Sequence, residues 1–183
     1  MEHVIRPVRA EEWAKARDLR IAALEDPAAP IAFLETREQA VARPDSFWQE
    51  RAADASHGGH NRQFVAERSD GEWDGTVVVL VEEAGGTGVF GEAIPVDQAH
   101  LVGVFVRPVQ RGIGLTEALV DAAVQWAWSL DDPTPARVRL YVHESNGRAS
   151  AFYRKFGFVP TGETIPVAGD PGAREIEMAL AHP

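Results

Sequence analysis

The sequence predicts an α+β protein in which a sheet is flanked by helices in a sandwich-like arrangement. Short apolar runs of strand length alternate with segments whose apolar residues recur at helical spacing. The run Val77-Val78-Val79-Leu80-Val81 is dense enough to form a central strand buried on both faces. A chain of 183 residues holds a sizeable core, and we expect one domain over residues 1–183, since domains usually span about 100 to 200 residues.

The first half of the chain predicts a strand, two helices and a hairpin. A strand over 4–8 precedes a helix over 10–25 that Pro27 and Pro30 end, and Asp45 or Ser46 caps a second helix over 46–55. Residues 32–42 fit no single element, and the glycine-rich segment 57–61 is expected to be a loop. Strands over 63–68 and 76–82 are joined by a turn at 69–72.

The second half adds strands and two more helices. Segment 84–99 is glycine-rich and is predicted to be a long loop that could contain a short strand, and residues 100–106 are predicted to form the next strand of the sheet. A helix over 115–126 follows, and then a strand over 137–142. Ser145 or Asn146 caps the last helix, Gly157 ends it, and strands over 158–161 and 175–180 close the chain.

Composition excludes several classes of function. Without cysteine, the chain has no disulfide, no thiolate metal site and no cysteine-linked intermediate. The net charge of -10 disfavours a nucleic-acid partner and weakly favours cationic ones, although solubility alone also accounts for it. His57 and His60 lack a third ligand, so no metal is expected. No apolar run approaches the roughly 18 to 20 residues that span a bilayer, and we expect a cytoplasmic protein with no membrane partner.

The most informative segment is RGIGLT at 111–116, which links an apolar strand to an amphipathic helix. Glycines let the backbone approach a ligand closely, and the first turn of a helix presents unpaired N–H groups and a positive dipole end. This predicts a site for the pyrophosphate of a nucleotide-like cofactor. Glu117 stands where a Rossmann motif needs its third glycine, and the P-loop pattern is absent.

Two motifs are similar to those of the GNAT superfamily of N-acetyltransferases. Its pattern Q/R-x-x-G-x-G/A is matched by Arg111 and Gly114, while Thr116 departs from the small third residue. Its pattern N-x-x-A-x-x-F-Y-x-x-x-G-F is matched over 146–158, at the expected distance. The order of predicted elements also agrees along essentially the whole chain. The resemblance implies a mixed, mostly antiparallel sheet flanked by helices, and acetyl-CoA as cosubstrate with no metal.

The resemblance also implies which residues bind that cosubstrate. Backbone N–H groups of the glycine turn would hold the pyrophosphate, the Arg111 side chain would add a charge-assisted contact, and the strand before the turn would pair with the pantetheine arm. Asn146 would approach the arm, although capping its helix explains it equally well. The expected binding residues are Val104, Phe105, Val106, Arg111, Gly112, Ile113, Gly114, Leu115, Thr116 and Asn146.

The chemistry is assigned to fewer residues. By resemblance, Tyr153 lies near the thioester sulfur and protonates the departing thiolate, with ring packing on the sheet as its alternative. His100 is the catalytic candidate for removing a proton from the amine, since certain arylalkylamine acetyltransferases place a histidine on that strand. A plain polar role at a strand end also fits His100. Glu82, Glu83 and Glu92 are further candidates by position.

The expected function is direct transfer of acetyl from acetyl-CoA to a primary amine in a ternary complex. A CoA-binding sensor or accessory domain that no longer turns over is the alternative. The acceptor would bind between the first two helices and segment 84–99. Acidic residues there suit a polyamine, an aminoglycoside or a protein amino end, although solvated surface explains them too. A homodimer is possible, as GNAT proteins are often dimers.

Overall fold

A computed structural model describes residues 2–183 as one seven-stranded sheet with helices on both faces. The strands are β1 (His3–Pro7), β2 (Asn61–Arg68), β3 (Trp73–Glu82), β4 (Gln98–Val106), β5 (Arg137–His143), β6 (Val159–Val167) and β7 (Asp170–Ala181). The helices are α1 (Trp13–Leu24), α2 (Ala29–Ala32), α3 (Arg37–Ala42), α4 (Asp45–His57), α5 (Leu115–Trp128) and α6 (Gly147–Phe156). The predicted fold class is confirmed.

Several predicted boundaries differ from the structure. The ambiguous segment 32–42 begins with the last residue of α2 and contains α3, whose N-cap Thr36 accepts a hydrogen bond from the Gln39 N–H. Helix α4 continues into the expected loop and ends at Gly58, whose φ of 69° favours glycine. Segment 84–97 contains only the isolated bridge between Thr87 and Ala93, so the suggested short strand there is wrong.

The sheet has a single parallel pair of neighbours, and that pair separates. The strand order is β1-β2-β3-β4-β5-β7-β6, and every neighbouring pair is antiparallel except β4 and β5. Strands β4 and β5 pair only where residues 98–100 meet residues 137–139. Beyond that point β4 keeps its partner β3 but has no partner on its other edge. The backbone groups of residues 101–106 that do not pair with β3 therefore lie along an opening between β4 and β5.

Helices cover both faces of the sheet around that opening. Helix α5 packs on one face through fully buried residues such as Leu119, Val120 and Ala123, and α6 lies on the same side through Tyr153. Helices α1 and α4 pack on the opposite face of β2, β3 and β4. No helix within residues 2–183 combines the length and the apolar character needed to cross a bilayer.

Shortening a core side chain of α5 should be costly. Leu119 is 0% exposed, and its Cδ1 would lie 2.8 Å from a Cβ built on Gly75, which shows how closely α5 packs on β3. We expect Leu119→Ala to lower the free energy of unfolding by about 2 to 5 kcal/mol, because a buried cavity replaces the side chain. Denaturant unfolding measures this change.

Val109→Ala is the matched control, because Val109 is 85% exposed and its loss leaves no cavity. We expect it to change the free energy of unfolding by less than about 0.5 kcal/mol. Equal losses in the two variants would contradict the placement of α5 in the core.

Candidate functional site

The opening between β4 and β5 continues into a cleft of about 460 Å³. Strand β4, the start of α5, helix α6 and the short helix α2 form its walls. Nearly every residue expected to bind a cofactor lines it, the exception being Ile113. The lining residues from that set are Val104, Phe105, Val106, Arg111, Gly112, Gly114, Leu115, Thr116 and Asn146.

The glycine turn presents unpaired backbone amides to this cleft. Gly112 and Gly114 have φ values of 85° and 86°, in the left-handed region that favours glycine. Ala118 is the first residue of α5 whose N–H makes a helical hydrogen bond, and it donates to the Gly114 carbonyl. The backbone N–H groups that precede Ala118 in the turn therefore have no helical partner. No heavy atom lies within 4 Å of a Cβ built on either glycine. The turn is therefore open enough to receive a phosphate group.

Arg111 braces this turn from the side. Its Nε donates to the Val106 carbonyl at 3.0 Å, and one Nη donates to Asp26 at 2.5 Å. Burial raises the pKa of Asp26, but hydrogen bonds from the Ala28 N–H and from Arg111 outweigh it and leave that pKa below its ordinary value. The guanidinium thus joins α5 to the α1–α2 connection, so the structure gives Arg111 a bracing role beside the expected phosphate contact.

Other cations at the cleft were not identified from the sequence. Arg148 and Lys155 of α6 line it together with Arg111, while Asp26 and Glu117 are its acidic lining residues. Asp26 is already paired with Arg111. The surrounding motif did not predict this role for Arg148 and Lys155, because the fold alone brings their side chains to the same cleft as the glycine turn.

Tyr153 and Asn146 lie at the α6 wall of the cleft. Tyr153 is 8% exposed, and its ring makes edge contacts with Phe152 and Phe158 at 5.2 and 5.7 Å between centroids. Burial raises the pKa of Tyr153, so its hydroxyl keeps its proton at neutral pH. The Asn146 side chain accepts from the Ala149 N–H at 3.2 Å, which is a helix cap, and still faces the cleft.

His100 lies outside the cleft, in a buried cluster of charged groups. It is 1% exposed, and its Nδ1 lies 2.7 Å from Glu82 Oε1 without good hydrogen-bond alignment. Burial raises the pKa of Glu82, but His100 and Arg139 outweigh it, and the net pKa is below the ordinary value. Because His100 is buried and does not line the cleft, it has no access to an amine there.

Arg139 is the centre of that cluster. The guanidinium is 1% exposed and donates to carboxylates of Glu82, Glu92 and Glu177 at 2.5, 2.5 and 3.1 Å. It also donates to the Tyr141 hydroxyl at 2.7 Å. Three strands and the 84–97 segment thus meet at one buried cation. Glu82 and Glu92, two of the candidate bases, are held here as ion-pair partners, while Glu83 lies outside this cluster.

A second pair of titratable residues lies on β5 and β7, and neither of its members lines the cleft. Glu175 of β7 is in register with His143, the last residue of β5, and Asn146 follows His143 by three positions. Burial raises the pKa of Glu175, and His143 only partly offsets this. A carboxyl group with a raised pKa is typical of functional sites. The sequence did not predict a role for Glu175, because its pKa is raised by burial and the burial depends on the fold.

Metal ligation has no support in the described chain. Over residues 2–183, no group of three or more His, Asp or Glu side chains is placed to hold a metal ion.

The buried cluster makes stability depend on pH. The folded pKa values of Glu82 and Glu177 lie below their ordinary range, so their contribution is present above about pH 4.5 and is lost as pH falls through the folded values. Arg139→Met removes the cation that Glu82, Glu92 and Glu177 share, although Glu177 keeps its pair with Arg137, and we expect a loss of about 3 to 5 kcal/mol at pH 7. Because their protonation relieves the repulsion, the loss should be smaller at pH 4.

Urea unfolding at the two pH values measures both losses. Arg17→Met, which removes two partly exposed ion pairs, serves as the control and should change stability little at either pH. An Arg139→Met loss that is equal at pH 7 and pH 4 would contradict the charge cluster.

Comparison with known proteins agrees with this geometry. The family model described as "Acetyltransferase (GNAT) family" matches residues 31–158, more than half of the chain. No curated protein matches the sequence significantly.

Solved structures with a similar fold include several acetyltransferases. Arabidopsis thaliana NAA60 in complex with a bisubstrate analogue is 15% identical with a TM-score of 0.69, and all of each chain is covered. The structure of yncA from Salmonella typhimurium with its cofactor acetyl-CoA is 16% identical with a TM-score of 0.70, covering 99% of this chain and 94% of that one. A GNAT-family acetyltransferase from Streptococcus pneumoniae is 18% identical with a TM-score of 0.65, covering 99% and 100%. At these identities the likeness concerns the fold.

Proposed function

The chain belongs to the GNAT acetyltransferase family, and on that premise we propose that it transfers the acetyl group of acetyl-CoA directly to a primary amine. The observation that carries this proposal is the cleft, where an unpaired strand edge and an open glycine turn meet. The edge suits an extended pantetheine arm, and the turn suits a pyrophosphate. Acetyl-CoA supplies the activated acyl carbon when bound, and the structures of yncA and of NAA60 with acetyl-CoA support this choice.

The residues of the cleft would act mainly by positioning. Backbone N–H groups of the 112–117 turn hold the pyrophosphate, with Arg148 and Lys155 adding positive charge. The backbone around Phe105 and Val106 polarises the acetyl carbonyl, which favours attack by an amine held in line. The amine nitrogen forms a bond to the carbonyl carbon, and the carbon–sulfur bond breaks.

Two protons must move in this reaction. We assign protonation of the departing thiolate to the Tyr153 hydroxyl, which burial keeps protonated. We assign removal of the amine proton to Glu175 of β7, which is in register with His143 at the end of β5, the strand that borders the opening. A carboxylate whose pKa is raised by burial is a better base than one on the surface. Single-domain organisation, cytoplasmic location and a homodimeric state also belong to this proposal.

Cofactor binding gives the first test. Gly114→Val forces a β-branched residue into the left-handed region, and we expect it to weaken binding of acetyl-CoA at least about tenfold in calorimetry. Gly85→Val is the matched control, since Gly85 has a similar φ of 81° but lies away from the cleft. An unchanged affinity in Gly114→Val, or no binding by the native protein at millimolar acetyl-CoA, would overturn the proposed site.

Turnover gives the second test. We expect Tyr153→Phe to lower kcat for an acetylated amine by about a hundredfold while leaving the affinity for CoA intact, because only the proton donor is lost. Steady-state kinetics and calorimetry on the same variant separate the two effects. An unchanged kcat would remove the assigned role. Tight cofactor binding with no amine acetylated would instead indicate a sensor.

The pH profile tests Glu175. Only the deprotonated carboxylate accepts a proton, so native kcat/KM should rise with pH through the raised pKa and then level off. Glu175→Gln should be slower throughout and lack this rise, while Glu163→Gln, on an exposed part of β6, should keep it. A rise that persists in Glu175→Gln would assign the base elsewhere.

A further inference from the structure

A narrow notch lies on the sheet face opposite α5 and reaches the same part of β4 as the cleft. Residues of α1, α4 and strands β2 to β4 line it. Gly103 lines the notch, while its neighbour Val104 lines the cleft. With a volume of about 30 Å³, the notch admits one small group and not a whole ligand.

Four of the acidic residues near this region already have cationic partners. Glu35 accepts from Arg20 at 3.0 Å and from Arg43 at 2.8 Å. Glu25 pairs with Arg37 at 2.7 Å. Asp26 is held by Arg111 and Glu82 by Arg139, as described above. These four carboxylates are therefore already paired within the protein, which weakens the case for a polyamine.

Arg51, in contrast to these carboxylates, has no ion-pair partner of opposite charge within residues 2–183. Its side chain is exposed at the wall of the notch, and within residues 2–183 no carboxylate lies within the 4.0 Å of an ion pair. An arginine stays charged at neutral pH. The notch thus has an uncompensated positive charge in a protein whose net charge is -10.

Arg20 lies beside Arg51 in the notch and also contacts a residue of the cleft. Its guanidinium lies over the Phe33 ring, 4.6 Å from the centroid, and Phe33 lines the cleft. Arg20 also lines the notch beside Arg51. Two guanidinium groups therefore line the notch, and the one carboxylate near them, Glu35, pairs with Arg20 and Arg43 but not with Arg51. This is an arrangement that attracts an anionic group.

We propose that the acceptor is a small primary amine that carries a carboxylate, and that Arg51, assisted by Arg20, binds this carboxylate in the notch. The inference rests on the proposed acetyl transfer and specifies its acceptor. Gly103 is three residues beyond His100, and His143 is four residues beyond Arg139, so Gly103 of the notch and His143 lie at a similar level on the two strands that border the opening, with Glu175 of β7 next to His143. A carboxylate held at Arg51 places the amine between them, beside β4.

The test uses matched acceptors. Acetylation of the twenty proteinogenic L-amino acids is measured, and phenylalanine, tyrosine and leucine are compared with phenethylamine, tyramine and isopentylamine, which lack only the carboxylate. We expect acetylation of one or more amino acids, with kcat/KM at least about tenfold above that of the decarboxylated partner, since a charge-assisted hydrogen bond is lost. For a better acceptor outside these three, its own decarboxylated amine is the comparison.

Variants connect the preference to Arg51. We expect Arg51→Gln to raise KM for the amino acid about ten- to a hundredfold, to leave kcat within about twofold, and to leave the decarboxylated amine unaffected. Calorimetry of amino-acid binding should show the same loss of affinity, and Arg51→Lys should restore part of it. Arg9→Gln, which removes an exposed arginine far from the notch, should change neither acceptor.

The outcomes separate the inference from the proposed function. Acetyl-CoA binding with no amino acid acetylated, or with decarboxylated amines or spermidine acetylated as well or better, would overturn the carboxylate site and leave the cofactor cleft standing. Equal effects of Arg51→Gln on both members of a pair would do the same. Absence of acetyl-CoA binding would overturn the proposed function, and the acceptor inference with it.

Discussion

The buried cluster around Arg139 is the interaction on which the arrangement of the site depends. A fully buried guanidinium requires nearby carboxylates, and Glu82, Glu92 and Glu177 come from β3, from segment 84–97 and from β7. These contacts surround the short stretch where β4 and β5 pair. The two strands are joined at this end of the sheet, and they are free to separate at the other.

The separation determines where ligands can bind. A strand edge without a partner leaves backbone N–H and C=O groups unsatisfied, which proteins avoid unless the edge is covered or used. Here the edge of residues 101–106 faces a cleft that ends at the glycine turn, so a single extended ligand would satisfy both features. The charges favour an anionic ligand in both places, since arginine and lysine side chains line the cleft and arginines line the notch, while most nearby carboxylates are already paired.

The sequence predicted the fold class well because local signals decided most elements. The valine run, the turn at 69–72 and the two glycine-containing motifs each had a mechanism that acts over a few residues. The helix in 32–42 and the extent of β6 and β7 were missed, since tertiary packing and long-range pairing determine them. The site was predicted only in part for the same reason. The glycine turn could be recognised locally, but the burial of His100, the ion pair of Arg111 and the exposure of Arg51 arise from residues distant in sequence.

The central feature of the proposed site is that a single ligand covers the free edge of β4 and the glycine turn together. Hydrogen exchange of backbone amides with and without CoA measures this directly. We predict slower exchange on binding CoA over residues 101–106 and 112–117, with no change in β2, which lies outside the cleft. Protection confined to other segments, or equal exchange in both states despite saturation with CoA, would contradict the claim.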